Sequence, residues 1–100
     1  KPMDYHFDKY EKRLIDYLKK LNLNGSSILL FGSRARRDHS EGSDIDIAID
    51  NLPETIKLSK IQEELDKLNL PYHIDLIDLN SVDQKFYNKC LQEAINIQDV

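Results

Sequence analysis

The chain of 100 residues has no tryptophan, one cysteine, three glycines and three prolines. With Cys90 alone, an intramolecular disulfide is excluded, and the usage fits a reducing compartment, so a cytoplasmic protein is expected. No Pro/Gly-rich linker, repeat or low-complexity tract divides the chain, which predicts a single domain over residues 1–100. Long hydrophobic runs are missing too. The longest, Ile28-Leu29-Leu30-Phe31, falls far short of the roughly 18 apolar residues of a membrane helix. No basic start leads into an apolar stretch with a small-residue cleavage site, so neither secretion nor membrane association is expected. Nor is there an excess of positive charge: 14 basic against 18 acidic side chains leave a net charge of −4. A protein that depends on nucleic-acid phosphates carries a broad basic face. Here three of the four arginines, Arg34, Arg36 and Arg37, crowd into four positions. That compact cluster excludes general nucleic-acid binding and leaves a small phosphorylated ligand.

What is present is a clear alternation of periodicities. Tyr10, Leu14, Tyr17, Leu18 and Leu21 share one helical face, predicting a helix over about Tyr5 to Leu21 that Asn24-Gly25 terminates. Ser27 to Phe31 reads as a buried strand, and Gly32 to Ser43 as a polar loop with a short helical turn near Ala35. Asp44 to Asp50 alternates strictly, the period-2 pattern of a strand. Leu58, Ile61, Leu65 and Leu68 predict a second helix from about Glu54 to Leu68, which Asn69-Leu70-Pro71 closes. Tyr72 to Ile77 reads as a third strand. Ser81 with Gln84 has capping-box spacing and predicts a last helix through about Ala94, with Val82, Phe86, Cys90 and Ala94 as its apolar stripe. The order implies an α/β (α+β) fold, a small sheet covered by helices.

The chemistry concentrates around Gly32-Ser33 and Asp44-Ile45-Asp46. Two positions apart on a strand, Asp44 and Asp46 project from the same face, where two ionised carboxylates repel unless a cation lies between them. Magnesium suits such a pair, because it is held by one or two carboxylates plus substrate phosphates. Gly32 follows a buried strand and lets backbone approach a ligand closely; Ser33 adds a hydroxyl and an N–H. With the arginines immediately downstream, these are two halves of a nucleoside triphosphate site. A third carboxylate on a neighbouring strand is supplied by Asp75, in phase with His73 and Ile77. Asp78 alternates to the other face as a turn residue, and Asp50 marks a strand end. His6, His39, His73 and Cys90 are too scattered for a zinc site.

Gly-Ser-Arg-Ala-Arg at 32–36 with Ser-Asp-Ile-Asp-Ile-Ala-Ile at 43–49 resembles the signature of DNA polymerase β-type nucleotidyltransferases, and the single domain resembles their minimal (MNT) group. The resemblance implies a small mixed β-sheet with helices on one face and transfer of AMP from ATP to an acceptor hydroxyl. It implies two Mg²⁺ ions on Asp44, Asp46 and Asp75, with Asp75 also assisting deprotonation. Gly32, Ser33, Arg34, Arg36 and Ser43 are the implied nucleotide-binding residues, Arg34 or Arg36 reaching the phosphates. The implied partner is a helical HEPN-type protein of a toxin–antitoxin module, its tyrosine being the acceptor; self-association is left open. Two alternatives are a non-catalytic antitoxin acting by occlusion and an aminoglycoside-type enzyme, the latter disfavoured without a drug-holding domain. The family has glycine where Arg37 stands. If that position takes positive φ, arginine either strains the loop or is recruited as a phosphate contact, and the second reading is preferred here.

Overall fold

The computed structural model describes residues 5–21 and 23–100. Helix α1 spans Lys9–Lys20 and begins later than the expected start near Tyr5, because Asp8 is its N-cap. The Asp8 side chain accepts the N–H groups of Tyr10 and Glu11, while Glu11 accepts the Asp8 N–H, forming a complete capping box. Strand β1 (Ser27–Phe31) leads through Gly32 into a single-turn helix, α2 (Ser33–Arg36). Then follow β2 (Ile45–Asp50), α3 (Leu58–Asp66), β3 (Ile74–Asp78), α4 (Gln84–Glu93) and a two-residue strand, β4 (Ile95–Asn96). The α3 helix is shorter at both ends than the expected Glu54 to Leu68, and Asn69 at φ 52° turns the chain away after it.

The start of α4 departs from the expected capping box. Asp83, not Ser81, is the N-cap and accepts the Phe86 N–H at 2.8 Å. Ser81 belongs to a 3₁₀ turn over Leu79–Ser81, where its hydroxyl donates to Asp78. Asp78, expected as a turn residue, is the last residue of β3, paired with Ile49, and its carboxylate caps the 3₁₀ turn by also accepting the Asn80 N–H. Strand β4 was invisible in the sequence because two residues carry no period.

The four strands lie in the order β3-β2-β1-β4. β1 pairs antiparallel with β2 and β4, whereas β2 and β3 are parallel and joined through α3. One face of this mixed sheet carries Ile28 and Leu30 of β1, Ile45, Ile47 and Ile49 of β2, and Ile74 and Leu76 of β3. Leu14 and Leu18 of α1 and Ile61 and Leu65 of α3 bury that face. The other face is divided. Leu29, Ala48 and Ile77 form an apolar row against which α4 sets Cys90 and Tyr87. The next row, Phe31, Asp46 and Asp75, carries the two carboxylates. Thus α1 and α3 occupy the face opposite the carboxylates, and α4 covers one end of the carboxylate face itself. Among the described residues, no helix is long and apolar enough to cross a membrane.

Candidate active site

Asp46 and Asp75 are directly opposite each other on parallel neighbours β2 and β3. Asp44 comes just before β2, two residues from Asp46, and is exposed, as is Asp75. Asp46 and Asp75 thus share one row of the sheet face, with Asp44 in the loop just ahead of β2. Burial raises the Asp46 carboxyl above its ordinary value, and the charges of Asp75, Asp44 and Glu93 push it the same way against the opposing pull of Arg36. Among the described residues, no group of three or more acidic, histidine or cysteine side chains stands close enough together to hold a metal ion. The donor set nevertheless fits a hard divalent cation. It offers only carboxylate oxygens, and their mutual repulsion is what a cation would relieve.

Gly32 is placed against this set. Its φ of 72° and ψ of −157° lie where a side chain is strained, and a Cβ there would stand 2.3 Å from Asp46 Oδ2. The glycine therefore does two things: it turns the chain from β1 into α2, and it leaves room for the Asp46 carboxylate. Its N–H donates to Glu93 Oε2 at 2.6 Å. Arg36, exposed on α2, donates from Nη1 to both oxygens of Glu93 at 3.1 Å and from Nε to Asp38 at 3.1 Å. Sequence reasoning missed Glu93. It lies 61 positions from Gly32, and no local spacing announces such a contact.

Arg34 faces elsewhere. Its side chain is 1% exposed, with Nη1 on Glu11 at 2.9 Å, Nε donating to the Ser43 carbonyl at 2.9 Å, and the guanidinium 4.0 Å over the Tyr72 ring. Arg34, expected among the nucleotide-binding residues, is instead spent on holding α1, α2 and the loop before β2 together, whereas Arg36 is exposed. Ser43 acts in the same bracket: its carbonyl receives Arg34 and its hydroxyl accepts the Ser40 N–H, which orients the residue just before Asp44. Ser33, the first residue of α2, is half-buried beside Gly32.

Arg37 has the positive φ anticipated for its position, 63° with ψ 29°. The expected phosphate contact is not what its side chain makes. The guanidinium lies on Glu11, at 2.9 and 3.0 Å, and donates to the carbonyls of Arg34 and His6. It also stands over the Phe7 ring. Glu11, buried at 3% exposure, answers two arginines and its own helix cap. Burial acts to raise its carboxyl, but hydrogen bonds from Arg37, the Asp8 N–H and Arg34 outweigh that and hold it below the usual range. The Asp8-x-x-Glu11 spacing was the available signal for this residue. Asp50 is engaged by Asn80 and Tyr87 at the far end of β2, consistent with a strand-end role.

A family profile described as "Polymerase beta, Nucleotidyltransferase" matches residues 12–99. Among curated relatives, a Methanocaldococcus jannaschii protein named as a candidate protein adenylyltransferase, MJ0126, is 39% identical over 71 residues, covering 69% of this chain and 71% of that one. A second from the same organism, MJ1379, is 35% identical over 91 residues, covering 87% and 85%. The CDP-abequose synthase of Yersinia pseudotuberculosis is 41% identical over 69 residues; the match covers 67% of this chain but 23% of the synthase. In fold, the chain resembles part of a toxin–antitoxin crystal structure with AMP-PNP, with a TM-score of 0.64, 22% identity, and coverage of 90% of this chain and 73% of that one. It also resembles a chain of a mutant MntA-HpeT toxin–antitoxin, with a TM-score of 0.63, 23% identity, and coverage of 87% and 70%.

Proposed function

The chain belongs to the polymerase beta nucleotidyltransferase family, and we propose that it transfers AMP from ATP to a tyrosine hydroxyl of a HEPN-type toxin, acting as that toxin's antitoxin. The observation that supports this best is the pairing of Asp46 with Asp75 across β2 and β3, with Gly32 fitted against the Asp46 carboxylate. The relatives named for protein adenylyl transfer and the toxin–antitoxin folds point to the same reaction and setting.

In this reading Gly32, Ser33 and Arg36 receive the β- and γ-phosphates, while Ser43 and Arg34 hold Asp44 and the loop in place. Asp44, Asp46 and Asp75 would hold two Mg²⁺ ions, which when bound neutralise the triphosphate and make the acceptor hydroxyl more acidic. The acceptor oxygen forms a bond to the α-phosphorus as the bond to the β-bridging oxygen breaks, and pyrophosphate leaves. Asp75, exposed at the outer strand, takes the hydroxyl proton in this reading as that bond forms. The acceptor thus approaches from the β3 side and pyrophosphate departs past α2.

The test is incubation of the chain and its HEPN partner with labelled ATP and Mg²⁺. Label on the partner with wild type, absent with Asp44→Asn/Asp46→Asn, is the expected result. A stable complex that silences the partner without label would replace transfer by occlusion.

A further inference from the structure

The donors of the Gly32 turn are already occupied by a carboxylate of this chain. Glu93, the last residue of α4, takes the Gly32 N–H and both of its oxygens receive Arg36 Nη1, with the Glu93 side chain 15% exposed. Arg34 and Arg37 are bound to Glu11, so the exposed Arg36 is the guanidinium of the cluster that a polyphosphate at this turn would meet. That ligand would meet a donor already held by a group of its own sign.

Glu93 also has somewhere to go. Lys89 stands one turn earlier on α4, at the i, i+4 spacing where two side chains meet on a helix surface. Lys89 and Glu93 both line a cavity of about 180 Å³, together with Gly32, Arg36, Phe31 and Phe86. Phe86, 41% exposed, is the open wall of that cavity. A carboxylate leaving Arg36 therefore finds space and a second cation without leaving its helix.

We propose that Glu93 is an intramolecular latch on the phosphate site: it rests on Gly32 and Arg36 in the free protein and crosses to Lys89 when a nucleoside triphosphate, or another polyphosphate, takes Arg36. This rests on the reading above that the turn receives polyphosphate. The latch lowers apparent affinity by the fraction of time it stands open, so a tenfold gain on removing it corresponds to a latch closed about nine-tenths of the time. Lys89 then assists binding by holding Glu93 aside rather than by touching phosphate.

The test is calorimetric titration of the full chain with inorganic tripolyphosphate, without divalent metal, and separately with Mg·ATP. Glu93→Gln keeps an oxygen for the Gly32 N–H but loses the charge. It should tighten tripolyphosphate binding about tenfold, and the gain should vanish when Arg36→Gln is added. Lys89→Gln should weaken binding in the wild-type background and change nothing in Glu93→Gln. Equal or weaker binding by Glu93→Gln would overturn the latch, as would an equal loss from Lys89→Gln in both backgrounds, which would make Lys89 a direct phosphate contact. If Mg·ATP still binds wild type and requires Asp46 in either case, the latch fails and the nucleotide site stands. If neither probe binds any variant, both fail.

Discussion

Replacing Arg37 by glycine separates two jobs that a loop arginine beside a phosphate site can do. The structure assigns its guanidinium to Glu11 and to the carbonyls of Arg34 and His6. Losing this bidentate, partly buried pairing removes roughly 1.5–3 kcal/mol of charge-assisted hydrogen bonding. Glycine at a freely chosen position adds a loss of about 0.5–1 kcal/mol through the unfolded chain. Against these stands relief of the left-handed conformation at φ 63°, about 1–2 kcal/mol for a residue with a side chain. Glu11 keeps Arg34 at 2.9 Å and is not stranded as a bare buried charge. The net expectation for Arg37→Gly is a loss of about 1–2 kcal/mol, or a fall in Tm of roughly 5–15 °C for a domain of this size. Mg·ATP affinity should stay within about twofold, because the lost contacts face α1 and not the carboxylates. The assay pairs urea unfolding with calorimetry on the same preparation. A tenfold, salt-sensitive loss of ATP affinity with unchanged stability would refute the reasoning and restore Arg37 as a phosphate ligand.

Four further expectations follow from the same geometry. Asp44→Asn/Asp46→Asn should abolish transfer and divalent-dependent ATP binding while leaving unfolding stability equal or higher, since repulsion is relieved; equal ATP affinity with and without Mg²⁺ in wild type would contradict it. Asp75→Asn should remove transfer but retain nucleotide binding, whereas Asp78→Asn, at a turn cap, should lower stability by about 1 kcal/mol and spare transfer; identical transfer rates for the two would be inconsistent with the strand phase. Gly32→Ala should cost about 1–3 kcal/mol in backbone strain and displace the Asp46 carboxylate, so a transfer rate within tenfold of wild type would be the contrary result. Glu11 is held below its ordinary 4.5, so its contribution is present above that value and is lost as pH falls through the lower folded value; Glu11→Gln should flatten this acid limb in pH-dependent unfolding.

Period explains what could be read from the chain and distance explains what could not. The alternation of Asp44 to Asp50 placed Asp44 and Asp46 together, and the phase of Tyr72 to Ile77 put Asp75 on the matching face and Asp78 off it, though Asp78 ends the strand rather than leaving it. Those inferences need only the geometry of one strand. The arginines could not be sorted that way, because Arg34, Arg36 and Arg37 are near neighbours whose directions depend on partners far along the chain. Arg34 and Arg37 are claimed by Glu11, and Arg36 by Glu93. Capping chemistry failed once for a simpler reason. Asp83 competes with Ser81 two residues earlier and wins, leaving Ser81 to bond Asp78.

The shared row of Phe31, Asp46 and Asp75 ties catalytic geometry to folding order. In a strand of period 2, sliding β3 by one residue along β2 would turn Ile74 and Leu76 out of the core and bury Asp75 against Ile61 and Leu65. A one-residue slip therefore loses the core and the site together. The β2–β3 pairing is closed through α3 and spans more of the chain than the β1–β2 pairing, so parallel docking of β3 is slower than closing that antiparallel pair. A refolding chain would regain its third carboxylate and the Ile74 and Leu76 part of its core in the same step, and recovery of transfer would report the docking of β3.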